Sequence, residues 1–169
     1  MEQLKDYITG KEIDNVGPEV SRQACEKFLV KTKGYQKNEI LVDVPLTVQF
    51  KETDYCSSID LVVCVQKKAV MAITCVAGSI GSYEREILAG ARLLHDDYQI
   101  PFAVSTDGNT AVILDTLSGR TLGRQMSEIL SRNKIIQMLP DLTFAPFDKT
   151  KKEREMIIYR SFNMEKINR

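Results

Sequence analysis

The segment from residue 40 to residue 50 restricts the fold of this chain more than any other part of the sequence. Its even-numbered positions, from Ile40 to Phe50, are all apolar, whereas most odd-numbered positions between them are polar. A period of two puts such apolar side chains on one face of a β-strand, so a half-buried strand is predicted here. Pro45 lacks the N–H group that a central strand donates, which predicts a bulge or an edge position. The chain must therefore fold around a β-sheet.

Two short runs after this strand predict a β-hairpin. Residues 58–65 and 69–77 are rich in β-branched side chains, and residues 66–68 separate them as a loop. The second run is apolar at almost every position, which is typical of a strand buried on both faces. A second hairpin is predicted around residues 100–115, where Asp107-Gly108 forms the turn.

Apolar residues at helical spacing predict helices before, between and after these hairpins. The predicted helices cover residues 18–33, 83–94, 124–139 and 151–160. Strands joined by short turns must be antiparallel, whereas the helical crossover at 83–94 favours a parallel pair. The order of elements therefore predicts an α/β fold with a mixed sheet flanked by helices.

Length and composition favour one domain without a membrane segment. The 169 residues include 43% hydrophobic residues, which is enough for a core and short for two domains. No run approaches the roughly 18 apolar residues of a membrane helix, and the N-terminus is too charged for a signal peptide. We expect a cytoplasmic protein that forms one domain over residues 1–169, with a core at 17–120 and a mostly helical extension at 121–169.

The motifs of common cofactor sites are missing from the sequence. Its four cysteines form no CxxC pair and accompany a single histidine, so no zinc site is expected. The glycine-containing turn at 78–82 lacks the Lys-Ser/Thr of a phosphate-binding loop, so no nucleotide is expected as a ligand.

Asp60 is the most informative polar residue in the predicted sheet. If residues 66–68 form the loop, Val65 pairs with Ala69, and counting back pairs Asp60 with Thr74 on the same sheet face. A carboxylate at the start of an apolar strand needs a metal, a cation or hydrogen bonds. Asp60 either takes part in a functional site or ends the strand by bonding to nearby hydroxyl groups, Thr74 among them.

Six stretches, in this order along the chain, resemble the PD-(D/E)xK nuclease fold. The resemblance is closer to the N-terminal nuclease-like domain of type I restriction enzyme R subunits, and it implies a restriction-endonuclease-like αβββαβ core. The matching stretches are Pro18–Gln23, Val42–Leu46, Ser58–Val63, Ala89–Leu94, Pro101–Gly108 and Leu114–Gly119.

The resemblance also implies where chemistry would lie. Nucleases of this type carry an acid-x-lysine signature on the third core strand, where the acid helps to hold Mg²⁺ and the lysine orients the attacking water. In this sequence Thr74 stands at the acid position and Val76 at the lysine position. Asp60 alone is a poor Mg²⁺ ligand set, and valine cannot offset charge in the transition state. We therefore expect a vestigial site, no cofactor and a non-catalytic domain that acts in DNA binding or protein interaction.

The alternative is a Mg²⁺-dependent DNA endonuclease whose catalytic groups have moved to other elements. Glu19 matches a glutamate found on the first helix of the family and is the candidate partner of Asp60. Glu84 and Glu86 open the next helix, where a helix dipole and solvent are the expected surroundings of their charges.

The charge distribution indicates which residues would contact DNA. The chain has equal numbers of basic and acidic residues, 23 of each, but residues 120–169 contain 11 basic and 6 acidic residues. Such a segment can contact nucleic acid or pack on the acidic remainder of the chain. If DNA is not the partner, we expect another protein or a second copy of this chain. The candidate DNA-binding residues are Arg120, Arg124, Lys151, Lys152 and Arg154.

Overall fold

The structure is a computed structural model and describes residues 2–167. Six strands form one mixed sheet in the order β3-β4-β5-β6-β7-β8, and two short strands form a separate hairpin. The strands are β1 (Gln3–Lys5), β2 (Glu12–Asp14), β3 (Ile40–Phe50), β4 (Thr53–Val65), β5 (Lys68–Cys75), β6 (Phe102–Thr106), β7 (Thr110–Asp115) and β8 (Thr121–Gln125). The α-helices are α1 (Glu19–Lys31), α2 (Glu84–Leu93), α3 (Arg132–Met138) and α4 (Lys152–Ile167).

The sheet confirms the predicted α/β class and its mixed strand directions. β5 and β6 are parallel and are joined by the α2 crossover, whereas every other neighbouring pair in the large sheet is antiparallel. β3 lies at one edge, as its proline predicted. Among residues 2–167, no helix is both long and apolar enough to cross a membrane.

Each face of the sheet carries its own hydrophobic core. One core joins the sheet to α1 and α3 through residues such as Leu29 and Ile135. The other joins it to α2 and α4 through Ile87 and Tyr159. Side chains alternate along each strand, so residues of β4 and β5 with even numbers near Asp60 face α2 and α4. This alternation determines which helices can contact Asp60.

The hairpin between β4 and β5 is tighter than predicted. Its turn consists of Gln66 and Lys67 alone, both with positive φ, and Lys68 already pairs with Val65. The predicted pairing of Val65 with Ala69 is therefore wrong. A bulge between Val63 and Cys64 shifts the register by one residue, so the pairs nearer Asp60 follow the predicted count again.

The segment after Gly119 differs most from the sequence-based prediction. A helix was expected over 124–139, but residues 121–125 form β8 and α3 covers only Arg132–Met138. Edge pairing with β7 explains the difference, because a strand of five residues gains ladder hydrogen bonds that no local pattern reports. α4 exists as predicted but continues past residue 160 to Ile167.

The turn at Gly108 anchors α1 to the sheet. Gly108 has a φ of +89°, and a Cβ atom there would lie 3.2 Å from the Cα of Ser21 and 3.1 Å from the Cβ of Ala24. Only glycine fits both the conformation and the space. The predicted Asp107-Gly108 turn is confirmed, and it fixes α1 beside the ends of β5 and β6.

Candidate functional site

Asp60 lies on the face of the sheet that α2 and α4 cover. Its Oδ2 atom accepts a hydrogen bond from the backbone N–H of Cys75 at 2.7 Å and one from the Oγ1 of Thr74 at 3.3 Å. The predicted placement of Asp60 opposite Thr74 is thus confirmed. The regular pairing of β4 with β5 ends at Leu61 and Ile73, so the carboxylate binds an N–H group beyond the end of the ladder.

Lys166, near the end of α4, contacts the same carboxylate. Its Nζ atom lies 3.7 Å from Asp60 Oδ2 and donates to Thr74 Oγ1 at 2.7 Å. It also donates to Glu86 Oε1 at 3.2 Å. We call Asp60, Thr74, Glu86 and Lys166 the Lys166 cluster. Four elements, β4, β5, α2 and α4, each contribute one side chain to it.

Glu86 is buried rather than solvated, which corrects the expectation for this residue. It is 3% exposed, and its Oε2 atom accepts a hydrogen bond from the side-chain amide of Asn163 at 3.3 Å. The amide oxygen of Asn163 in turn accepts a bond from the Tyr55 hydroxyl at 2.6 Å. Glu84, by contrast, remains partly exposed, 3.7 Å from Arg124. The tertiary packing of α4 against α2 removes Glu86 from water.

Burial and charge act in opposite directions on the pKa values of this cluster. Burial raises the pKa of Glu86, and Lys166 offsets this only in part. Burial lowers the pKa of Lys166, but the carboxylates of Asp60 and Glu86 outweigh it and raise that pKa above its usual value. The ammonium group therefore stays charged at neutral pH, and it is held by the two carboxylates.

Glu19 lies near this site but is paired elsewhere. Arg22 donates from Nε to Glu19 Oε2 at 3.0 Å and from its Nη1 to Asp43 Oδ1 at 2.7 Å. The Arg22 and Glu19 side chains are 6% and 18% exposed, so water competes little for this pair, whereas Asp43 is largely exposed. Burial raises the pKa of Glu19, the Arg22 charge lowers it, and Asp60 acts on it through space. Glu19 is thus close enough to Asp60 for their charges to interact, but the Glu19 carboxylate is bound to Arg22.

Beside the Lys166 cluster, the third core strand ends in a cavity of about 330 Å³. Val76 is 4% exposed and lines this cavity together with Pro18, Tyr83 and Lys166. Its backbone N–H donates to the carbonyl of Thr106 at 2.9 Å. The position that the resemblance assigns to a catalytic lysine therefore presents an apolar side chain to the cavity.

The donor set does not fit a divalent cation. Among residues 2–167, no three His, Cys, Asp or Glu side chains converge into a group that can hold a metal ion. Mg²⁺ requires oxygen ligands at about 2.1 Å in a near-octahedral array. The two carboxylates of the cluster instead share an ammonium group, and Asp60 Oδ2 and Glu86 Oε2 each accept a further hydrogen bond.

The five candidate DNA-binding residues form two groups on the surface. Arg120 and Arg124 lie on and before β8, while Lys151, Lys152 and Arg154 lie at the start of α4. Arg92 connects the two regions, since it donates to the carbonyl of Thr116 at 3.1 Å and to Glu155 of α4 at 3.2 Å.

Within these two groups, Lys152 binds Asp96 at 3.1 Å and Arg124 lies 3.7 Å from Glu84. Arg120, Lys151 and Arg154 are exposed.

Sequence reasoning missed Lys166 and the burial of Glu86, although a signal existed for both. Tyr159, Asn163 and Lys166 follow one another at spacings of four and three, which places them on one helical face. Ending the helix at residue 160 removed this face from consideration. In α2, Glu86 is followed four residues later by Gly90, on the same side of the helix, where a Cβ atom would lie 3.2 Å from Ile59 and 3.6 Å from Tyr159.

The family model described as Type I restriction enzyme R protein N terminus matches residues 17–129. Comparisons with curated proteins and with solved structures find no match. The match covers α1, strands β3 to β8 and α2, whereas α4, which supplies Lys166, lies outside it.

Proposed function

The chain belongs to the family of Type I restriction enzyme R protein N-terminal domains, and from this premise we propose that it is a restriction-endonuclease-like domain that binds DNA without cutting it. One observation carries the loss of cleavage. On β5, the neutral hydroxyl of Thr74 donates to Asp60 and accepts from Lys166, and Val76, one residue beyond the end of β5, is apolar and buried. Neither residue can supply negative charge to a metal or positive charge to a phosphate.

The absence of DNA cleavage is tested with the whole chain and a supercoiled plasmid. Wild type and Asp60→Asn are incubated with Mg²⁺ and separately with Mn²⁺, and nicked and linear products are measured on a gel. We expect the same background for both proteins. Cleavage by wild type that Asp60→Asn abolishes would overturn the proposal, whereas equal cleavage by both identifies a contaminating nuclease.

A Mg²⁺-dependent endonuclease with relocated residues is the second candidate, and one specific observation favours it. Asp60, Glu86 and Lys166 bring two acids and a lysine together from three different elements. Glu19, the partner expected from the sequence, remains bonded to Arg22. If this candidate is correct, Lys166→Arg and Glu86→Gln both abolish the cleavage seen in wild type.

Exposed cations support the DNA-binding part of the proposal. Arg120, Lys151 and Arg154 belong to a segment with an excess of basic residues, and all three are exposed. Phosphate contacts by such side chains release counterions, so binding must weaken steeply as salt rises. The three side chains are expected to contribute jointly to this salt dependence.

Fluorescence anisotropy with a duplex oligonucleotide at several salt concentrations tests this. The slope of log K against log salt is negative. Replacing Arg120, Lys151 and Arg154 together by Gln should make it less steep, by about 2–3. The matched control replaces three exposed lysines of the N-terminal region, Lys5, Lys11 and Lys27, by Gln and should leave the slope unchanged. No binding by wild type even at low salt would reject DNA as the partner and leave protein interaction.

A further inference from the structure

The Lys166 cluster is charged, largely buried and built from four separate elements. The Asp60 and Lys166 side chains are 20% and 19% exposed, and Glu86 lies beneath them at 3%. Two carboxylates placed together in such surroundings repel each other and lose hydration, so they require a positive partner. In this chain the partner belongs to the protein itself.

The contacts of Lys166 use its ammonium group almost completely. The group has three N–H bonds, and its neighbours are Thr74 Oγ1, Glu86 Oε1 and Asp60 Oδ2 at 2.7, 3.2 and 3.7 Å. Burying a lysine is costly unless each N–H finds an acceptor. Two hydrogen bonds and one ion pair, to side chains on three different elements, largely meet this requirement, which indicates a fixed position rather than a loose surface contact.

We propose that the ammonium group of Lys166 permanently takes the place of a divalent cation between Asp60 and Glu86. This inference rests on the proposed function, because a site with a built-in cation has no room for a catalytic one. An ammonium group supplies one positive charge and cannot polarise a water molecule as a metal ion does. It does hold the two carboxylates and ties the last turns of α4 to the sheet.

Neighbouring contacts make the position of Lys166 independent of any ligand. One turn earlier, Asn163 donates to Glu86 and accepts from Tyr55. Two turns before that, Glu155 accepts from Arg85 at 2.7 Å and from Arg92 at 3.2 Å. α4 is thereby docked along its length, and Lys166 reaches the carboxylates as a consequence of that docking.

The first measurement compares thermal unfolding of wild type and Lys166→Met at neutral pH. We expect the variant to unfold about 10 °C lower, because two buried carboxylates lose their counter-ion. Lys152→Met is the matched control, since Lys152 also lies on α4 but binds the exposed Asp96, and its melting temperature should change by at most about 2 °C. Equal melting temperatures for Lys166→Met and wild type would overturn the proposal.

The second measurement adds Mn²⁺ as a probe, without DNA. Wild type should show no shift in melting temperature with millimolar Mn²⁺, whereas Lys166→Met should be stabilised, and Asp60→Asn in the Lys166→Met background should abolish that stabilisation. A wild-type shift that Asp60→Asn abolishes would show that a metal binds despite Lys166, and would contradict the proposal. If Lys166→Met does not fold alone, it is combined with Glu86→Gln.

In this double variant both the cation and one carboxylate are neutralised, so it should regain most of the wild-type melting temperature. A double variant as unstable as the single one would contradict the proposal. The two proposals fail in different experiments. DNA cleavage by wild type that Asp60→Asn abolishes, without a Mn²⁺ shift, would contradict the proposed function. A Mn²⁺ shift of wild type that Asp60→Asn abolishes, without DNA cleavage, would contradict the present inference.

Discussion

Two groups of buried carboxyl groups lie on opposite faces of this sheet, and they are stabilised in different ways. The Lys166 cluster faces α2 and α4 and contains a cation. On the other face, Glu26 of α1 is 0% exposed, and within residues 2–167 no N–H or O–H group donates to its carboxyl oxygens, while the carboxyl group of Asp6 lies within hydrogen-bonding reach. Burial and the nearby Asp6 raise the pKa of Glu26 to about 8. One face neutralises its acids with an ammonium group, and the other does so with a proton.

Asp6 explains why the proton resides on Glu26. Asp6 is 1% exposed, and burial alone would raise its pKa. The backbone N–H of Thr9 at 2.7 Å and the side-chain amide of Gln23 at 2.8 Å donate to it and lower its pKa overall. Two adjacent carboxyl groups in a buried site do not both ionise readily, so the one with fewer donors keeps the proton. The comparison therefore predicts opposite responses to substitution.

The largest effect is expected from Glu86→Ala. Of the two carboxylates that pair with Lys166 within residues 2–167, this change leaves Asp60, and it removes the acceptor of the Asn163 amide. The free energy of unfolding at pH 7 should fall by about 3 kcal/mol, measured by urea denaturation. Glu84→Ala is the control, because Glu84 is partly exposed and should cost about 0.5 kcal/mol at most. Equal losses for both variants would remove the distinction between the buried and exposed carboxylates.

An effect of similar size and opposite sign is expected from Glu26→Gln at alkaline pH. The folded-state pKa of about 8 exceeds the usual value of 4.5, so the folded protein holds a proton that the unfolded chain loses in this interval. Wild-type stability should therefore fall as pH rises from about 4.5 to 8, by up to ~1.4 kcal/mol per pH unit. Glutamine carries no charge at any of these pH values and removes this dependence.

Urea denaturation at pH 5.5 and pH 8.5 measures the effect. The stability of Glu26→Gln relative to wild type should increase by about 3 kcal/mol between pH 5.5 and pH 8.5. The charges around Glu26, those of Asp6, Arg22 and Glu19, are unchanged in this variant. Glu12→Gln, an exposed site on β2, serves as the control. A pH profile parallel to that of wild type would show that Glu26 is ionised in the folded protein.

The smallest effect is expected from Thr74→Val, which keeps the shape of the side chain and removes its hydroxyl. The Lys166 contact at 2.7 Å and the Asp60 contact at 3.3 Å are lost, which should cost about 1 kcal/mol and lower the melting temperature by about 2–4 °C. Thr47→Val, on the exposed part of β3, should change it little. If Thr74→Val has the same melting temperature as wild type, the carboxylates alone stabilise the ammonium group of Lys166 and the Thr74 hydroxyl contributes nothing.

Much of the strand framework could be predicted from local sequence patterns. The alternation in β3, the turn at Gly108 and the crossover of α2 all follow from periodicity and turn chemistry, and the structure confirms them. β8 was not predictable in this way, because five mostly exposed residues become a strand only through pairing with β7. The two-residue turn at Gln66-Lys67 was also missed. The bulge between Val63 and Cys64 shifts the register by one residue, so the predicted pairing near Asp60 is still correct.

The sequence by itself determined that Asp60 and Thr74 face each other, because the side-chain alternation of two antiparallel strands follows from counting residues. Only the tertiary structure decided what that pair contacts. Lys166 is 106 positions beyond Asp60 in the chain, and its arrival depends on the docking of α4 against α2. No local pattern encodes the docking of two distant helices, since it depends on the packing of their side chains and on the charges that this packing removes from water.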